Sequence, residues 1–120
     1  MNYLPFPKAH NLSLEVVSQL NNAAAKLHFK LNTLNLDQLE ISSYNKKYLQ
    51  SYINSLDFYL PVYTQLMAKA LKQLSKPIEE STFIDYGGGC GLLSFFVRQL
   101  GFKNVIYSDI YDVSVKDVKL

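Results

Sequence analysis

Asp85-x-Gly87-x-Gly89-x-Gly91, followed eighteen residues later by Asp109, contains the residues whose type and spacing could do chemistry. Glycine reaches backbone angles that other residues avoid, and it lets a bound group touch the main chain. A glycine-rich turn that opens a helix also presents free N–H groups and the positive end of the helix dipole. Such a loop suits an anionic or strongly polar ligand group. An acid at the end of the following strand can accept hydrogen bonds from both hydroxyls of a ribose. In open α/β sheets, ligands bind beyond the carboxyl ends of the strands.

Three elements must position these residues. "STFIDY" is short, β-branched and aromatic, and predicts a strand that runs straight into the glycines. "GLLSFFVRQLG" predicts a short helix closed by Gly101, and "NVIYSD" a second strand ending at Asp109. Strand, helix and strand make a βαβ unit, whose strands lie parallel. "DVSVKDVKL" reads as the opening of a further helix with Asp112 as its cap. The fold class is therefore α/β, with a helical segment in front.

That segment begins with an expected extended arm over residues 1–11, which hold two prolines. From Ser13 a helix is predicted, because Val16, Leu20, Ala23, Ala24, Leu27 and Leu31 form one apolar stripe. Asp37 and Glu40 resemble a capping box and predict a second helix from near Gln38. Ile41, Tyr44, Tyr48, Tyr52 and Leu56 would share one face of it. Pro61 fits the first turn of a third helix, where its missing N–H costs nothing. The alternative is one long helix kinked at Pro61. Tyr63, Leu66, Met67, Ala70, Leu71 and Leu74 would form the apolar face, and "SKP" at 75–77 the end. The change of character there divides the chain into a helical segment, 1–77, and an α/β segment, 78–120.

The glycines do not match two common phosphate-binding patterns. A P-loop ends in Gly-Lys-Ser/Thr, and no lysine follows these glycines. The dinucleotide pattern G-x-G-x-x-G/A would end on Leu92 or Ser94. The pattern here is D-x-G-x-G-x-G behind an apolar stretch. Taken alone, it also fits a tight strand-to-helix turn with no ligand.

Residues 82–112 resemble the first two motifs of the class I, Rossmann-like S-adenosylmethionine-dependent methyltransferases. "FIDYGGGCG" is similar to the glycine-rich first motif, and "VIYSDIY" to the second, where an acid closes the strand. The resemblance implies a Rossmann-like domain that binds S-adenosyl-L-methionine. It implies that Gly87, Gly89 and Gly91 lie against the methionine part. Asp85 would orient the loop and help receive the ammonium, directly or through water. Asp109 would hold the ribose hydroxyls, and Ile110 would pack on the adenine. Tyr86 and Cys90 fall at variable positions of the motif.

The resemblance covers about a third of the chain. The later motifs, and the strands that would complete a sheet, are absent, and "VKDVKL" reads as mid-helix. The expectation is the N-terminal portion of a longer methyltransferase, inactive by itself. Its acceptor is unknown, with a small molecule or a protein favoured over nucleic acid. The alternatives are a non-catalytic cofactor-binding or helical interaction module, or another nucleotide-binding Rossmann enzyme.

Composition sets further bounds. Hydrophobic residues make up 48% of the chain and charged residues 18%, a globular balance. Net charge is only +2 and the lysines are scattered, so no basic patch points to nucleic acid. Cys90 is the only cysteine, and with His10 and His28 it makes no metal-ligand spacing. Neither a signal peptide nor a membrane-spanning apolar run is evident. A soluble, cytoplasmic protein is expected. No residue stands out as a catalytic base, and the catalytic residues stay unknown. The histidines read as structural or surface residues, and Cys90 as a packing residue, although a helix N-terminus favours thiolate.

Tyrosine is concentrated between residues 44 and 63, with Tyr44, Tyr48 and Tyr52 on one helix face. They form either a half-buried packing face or an aromatic wall over the pocket. The resemblance implies the second role, since helices before the first strand form a cap in many of these methyltransferases.

Overall fold

Ser13 starts the first helix: its Oγ accepts the Val16 N–H at 3.2 Å. In the computed structural model, which describes residues 2–120, this helix is α1, Leu14–Asn32. Its predicted stripe faces the core, with Leu20, Ala23, Ala24, Leu27 and Leu31 buried.

The segment before α1 is not simply extended. Pro7–His10 form a 3-10 turn, entered through Phe6 in the left-handed region. Tyr3 and Leu4 are buried, because Asn21 Oδ1 accepts both of their N–H groups, at 2.7 and 3.1 Å. The Tyr3 hydroxyl lies 2.6 Å from His28 Nδ1, which gives His28 a structural partner.

The second helix starts later than the Asp37–Glu40 spacing predicts. The Asn35 side chain accepts the Asp37 N–H at 3.1 Å and closes only a 3-10 turn, Leu36–Gln38. Ser42 caps the Asn45 N–H at 3.2 Å and opens α2, Ser43–Ile53. Ile41 and Leu56 therefore lie outside this helix. The next helix, α3, spans Leu56–Gln73, and Pro61 sits in its second turn rather than its first. Leu56, Leu60, Thr64, Met67 and Ala68 are its buried residues, whereas Leu66 and Leu74 are exposed. Of the expected face, Met67 is fully buried and Tyr63, Ala70 and Leu71 are partly buried against the core, so the inward face is broader than that stripe and displaced from Leu66 and Leu74.

Two strands follow, β1 (Thr82–Tyr86) and β2 (Asn104–Ser108), paired in parallel with Thr82 opposite Asn104 and Tyr86 opposite Ser108. Between them runs α4, Leu92–Leu100, closed by Gly101 at φ 125°. Both the sheet and α1 pack against α4. Its buried residues accordingly include Leu92, Ser94, Phe96, Val97 and Leu100, more than a single stripe. The opposite face of the sheet leaves Ile84 and Ile106 exposed.

The last helix, α5, spans Asp112–Asp117. Its N-cap residue is Tyr111, not Asp112, and it closes at Asp117 with Val118 extended, so "VKDVKL" is not mid-helix. The architecture is mixed α/β, mostly helical, with a two-stranded parallel sheet. Among the described residues, no helix is long and apolar enough to cross a membrane.

Candidate functional site

The parallel register places the carboxyl ends of both strands side by side, so the glycine loop and Asp109 leave the sheet together. The Gly88 N–H donates to the Ser108 carbonyl at 2.9 Å and extends the ladder by one step. The Gly89 N–H then donates to Asp109 Oδ2 at 2.9 Å. Asp109 Oδ1 accepts the Tyr111 N–H, also at 2.9 Å. The Asp109 carboxylate thus ties the loop to the segment after β2. It retains unused lone pairs, since each carboxylate oxygen can accept more than one bond. The Tyr107 hydroxyl donates to the Gly89 carbonyl and holds the loop from the other side.

Gly87 and Gly89 take φ of +69° and +57°, and a Cβ added at either would meet nothing within 4 Å. A side chain would be strained there by the backbone alone, and the main chain is open to an approaching ligand. Gly91 opens α4 with Val118 packed close to where its Cβ would stand.

Asp85 is buried at 6% exposure. Its Oδ2 accepts the Ser94 hydroxyl at 2.6 Å, joining the end of β1 to the first turn of α4. It lies directly beneath Gly88, where an added Cβ would stand 2.7 Å from the same oxygen and 2.5 Å from the Tyr107 ring. Gly88→Ala is therefore expected to destabilise the protein by about 1–2 kcal/mol, in the lower part of the overpacking range. The Tyr107 ring can give way only by straining its bond to the Gly89 carbonyl, and the buried Asp85 is held by Ser94. Urea denaturation of this variant beside Gly87→Ser, which meets open space, separates crowding from backbone strain.

Over the loop lies the tyrosine face of α2. Tyr44, Tyr48 and Tyr52 form one wall of a cleft of about 170 Å³, and Gly89, Cys90 and Asp109 form the other. Tyr111 closes one side, its ring centroid 6.1 Å from that of Tyr44, while the Tyr44 and Tyr48 rings lie 4.8 Å apart. Of the cofactor residues implied by the resemblance, Gly89 and Asp109 line this cleft. Asp85 sits beneath the loop, and Gly87, Gly91 and Ile110 stand outside the cleft walls. Ile110 is 87% exposed.

Sequence reasoning missed what holds α2 in place. The Asp117 carboxylate accepts the Ser42 N–H at 3.1 Å, the Ser42 hydroxyl, and Asn45 Nδ2 at 2.7 Å. Asn45 is buried and also donates to Ser114 Oγ at 3.3 Å. This clamp joins the start of α2 to α5, and so fixes the tyrosines above Asp109. The only trace in the sequence is Ser42 three residues before Asn45, a cap signal, with nothing that points to Asp117.

The electrostatics leave the cleft without an activated nucleophile. Burial pushes the Cys90 thiol up, against the opposing effect of the Leu92 N–H, so the thiol is protonated at neutral pH. Burial, and then the Asp109 charge, push the Tyr107 hydroxyl up to about 12. The adjacent Tyr48 hydroxyl raises Tyr44, and burial raises Tyr52. Among the described residues, no cluster of three or more His, Cys, Asp or Glu is placed to hold a metal ion. No family model matches the chain, and no curated protein or solved structure matches it.

Proposed function

We propose that this chain forms the cofactor-binding part of an S-adenosylmethionine-dependent methyltransferase of the class I, Rossmann-like type. The observation that carries the reading is the Gly89–Asp109 hydrogen bond, made at the carboxyl ends of two parallel strands and facing an aromatic wall. It couples the two motifs on which the resemblance rests.

The residues fit such a cofactor. Gly87 and Gly89 let the methionine part approach the main chain, because no atoms stand where a side chain would be. Asp109 has lone pairs left for the ribose hydroxyls. Ile110 offers exposed apolar surface to the adenine. Asp85 acts from beneath, holding the loop through Ser94 and Gly88 rather than facing the cleft. The cleft is smaller than the ~300–1,000 Å³ of sites that enclose a drug-sized ligand, so it encloses only part of one. S-adenosylmethionine supplies an electrophilic methyl group when bound. The tyrosines of α2 would exclude water from that side, and no residue of this chain is assigned as a base.

Calorimetric titration of S-adenosylmethionine and S-adenosylhomocysteine tests the reading. Saturable binding is expected, weakened at least about tenfold in Asp109→Ala, the scale of a lost charge-assisted hydrogen bond. Asp109→Asn keeps one acceptor, enough for the Gly89 N–H, but gives up the one for the Tyr111 N–H; it should retain the loop better than Asp109→Ala while still weakening ribose binding. Competition by NAD would favour a different nucleotide enzyme, and no binding by a folded chain would sink the proposal for this chain. Tyr44→Ala and Tyr48→Ala should lower affinity severalfold while changing stability by no more than about 0.5 kcal/mol, as for other exposed positions. Parallel losses of affinity and melting temperature would make the tyrosines a packing face instead.

A further inference from the structure

On the far side of α4 from the sheet lies a second cavity, of about 410 Å³, that the cofactor reading does not use. It opens between α1, α2, α4 and the segment joining α1 to α2. Leu27, Leu31, Leu34, Leu39, Leu49 and Phe95 form its apolar walls, and Lys30 and Arg98 are its only charged residues among the described ones. Lys30 Nζ donates to Gln99 Oε1 at 2.9 Å, and Arg98 Nη1 to the Lys103 carbonyl at 2.7 Å. Both of these acceptors are neutral, and most donors of each cation remain unused. Each cation sits in the last turn of its helix, where it complements the dipole. That placement accounts for the two charges but not for the apolar volume between them.

We propose that this cavity binds a small aliphatic carboxylate, with its chain among the leucines and Phe95 and its carboxylate between Lys30 and Arg98. The volume falls within the ~300–1,000 Å³ of small-molecule sites, and the pattern of apolar walls with few polar anchors is theirs as well. The sign of the ligand follows from the lining: two cations and no acid. Arg98 can engage a carboxylate in a two-pronged bond, and Lys30 acts as a point charge beside it. The proposal stands independently of the cofactor reading.

Octanoate, hexanoate, 1-octanol and octylammonium are the probes, titrated calorimetrically below micelle-forming concentrations. Octanoate is expected to bind at least tenfold more tightly than octylammonium. Shortening it to hexanoate should cost about tenfold, given about 0.8 kcal/mol for each buried methylene. Lys30→Ala/Arg98→Ala should lose about tenfold for octanoate and little for octanol. Both side chains are exposed, so the melting temperature should hold. Leu34→Asp, at an exposed wall position, should abolish octanoate binding while the protein stays folded. Equal binding of octanoate and octylammonium would overturn the proposal. So would the absence of saturable binding, or octanoate affinity unchanged in both variants.

Discussion

Phe96→Ala is expected to lower stability by about 3–5 kcal/mol, the usual cost of deleting a fully buried aromatic ring. Phe96 has no exposed surface. It lies on α4, the helix against which both the sheet and α1 pack, and its ring centroid is 6.1 Å from that of Tyr63 on α3. The lost volume therefore opens where three layers meet, and no single element can move in to fill it. Against a typical total of about 5–15 kcal/mol, the loss would leave the fold marginal. Guanidinium denaturation gives the number directly. Phe95→Ala is the internal comparison: Phe95 is only partly buried and lines the aliphatic cavity, so its loss should be smaller. A Phe96 value near 1 kcal/mol, or equal costs at the two positions, would contradict this placement of α4.

Asp117→Ala carries the second large effect. It removes the acceptor for Ser42 N–H, the Ser42 hydroxyl and Asn45 Nδ2. Asn45 is 2% exposed, and leaving its buried amide under-satisfied should cost about 1–3 kcal/mol. Burial is the largest single influence on the Asp117 carboxyl and raises it. The Ser42 and Asn45 hydrogen bonds together outweigh burial and hold it below its ordinary value of 3.8. The folded state thus binds this proton less readily than the unfolded chain does. The stabilisation is complete above the ordinary value and is lost as pH falls through the lowered one. Between about pH 5 and pH 2, wild type should lose more stability than Asp117→Asn, whose side chain does not titrate. Identical acid sensitivity in the two proteins would show that the Asp117 charge adds nothing to the clamp.

The two variants also separate the halves of the candidate site. Phe96 supports the glycine loop through α4, whereas Asp117 supports the tyrosine wall through α2. If Asp117→Asn loosens the wall without unfolding the sheet, the Gly89–Asp109 bond should persist while the Tyr44 and Tyr48 resonances broaden or shift in NMR spectra.

Some of this was legible in the residues alone, and the reason is locality. The stripe of α1 obeys helix periodicity, and its burial follows it. The β-branched run, the glycines, the short apolar helix and the second strand form one continuous βαβ unit, in which each signal lies within a few residues of the structure it makes. The structure departs from these patterns where two local signals compete. Asp37 and Glu40 looked like a capping box, but the Asn35 side chain took the Asp37 N–H and closed a 3-10 turn. Ser42 then capped the helix that forms. Pro61 looked like a first-turn residue, yet α3 begins at Leu56, because burying Leu56 and Leu60 outweighs one missing hydrogen bond in the second turn.

By itself, the sequence determined the strand–loop–helix–strand unit, the glycine positions and the acid at the end of the second strand. These depend on backbone angles and periodicity, which neighbouring residues decide. Only the tertiary structure decided that Gly89 and Asp109 are joined, that Asp85 lies beneath the loop, and that the tyrosines stand over both. It also decided the Asp117 clamp and the cation-lined cavity between α1 and α4. Apart from the placement of Asp85, whose partners Gly88 and Ser94 are near it in the sequence, each of these rests on contacts between residues far apart in the chain. Their partners are chosen by how helices pack and which polar groups must be satisfied once buried, and no spacing in the sequence records that choice.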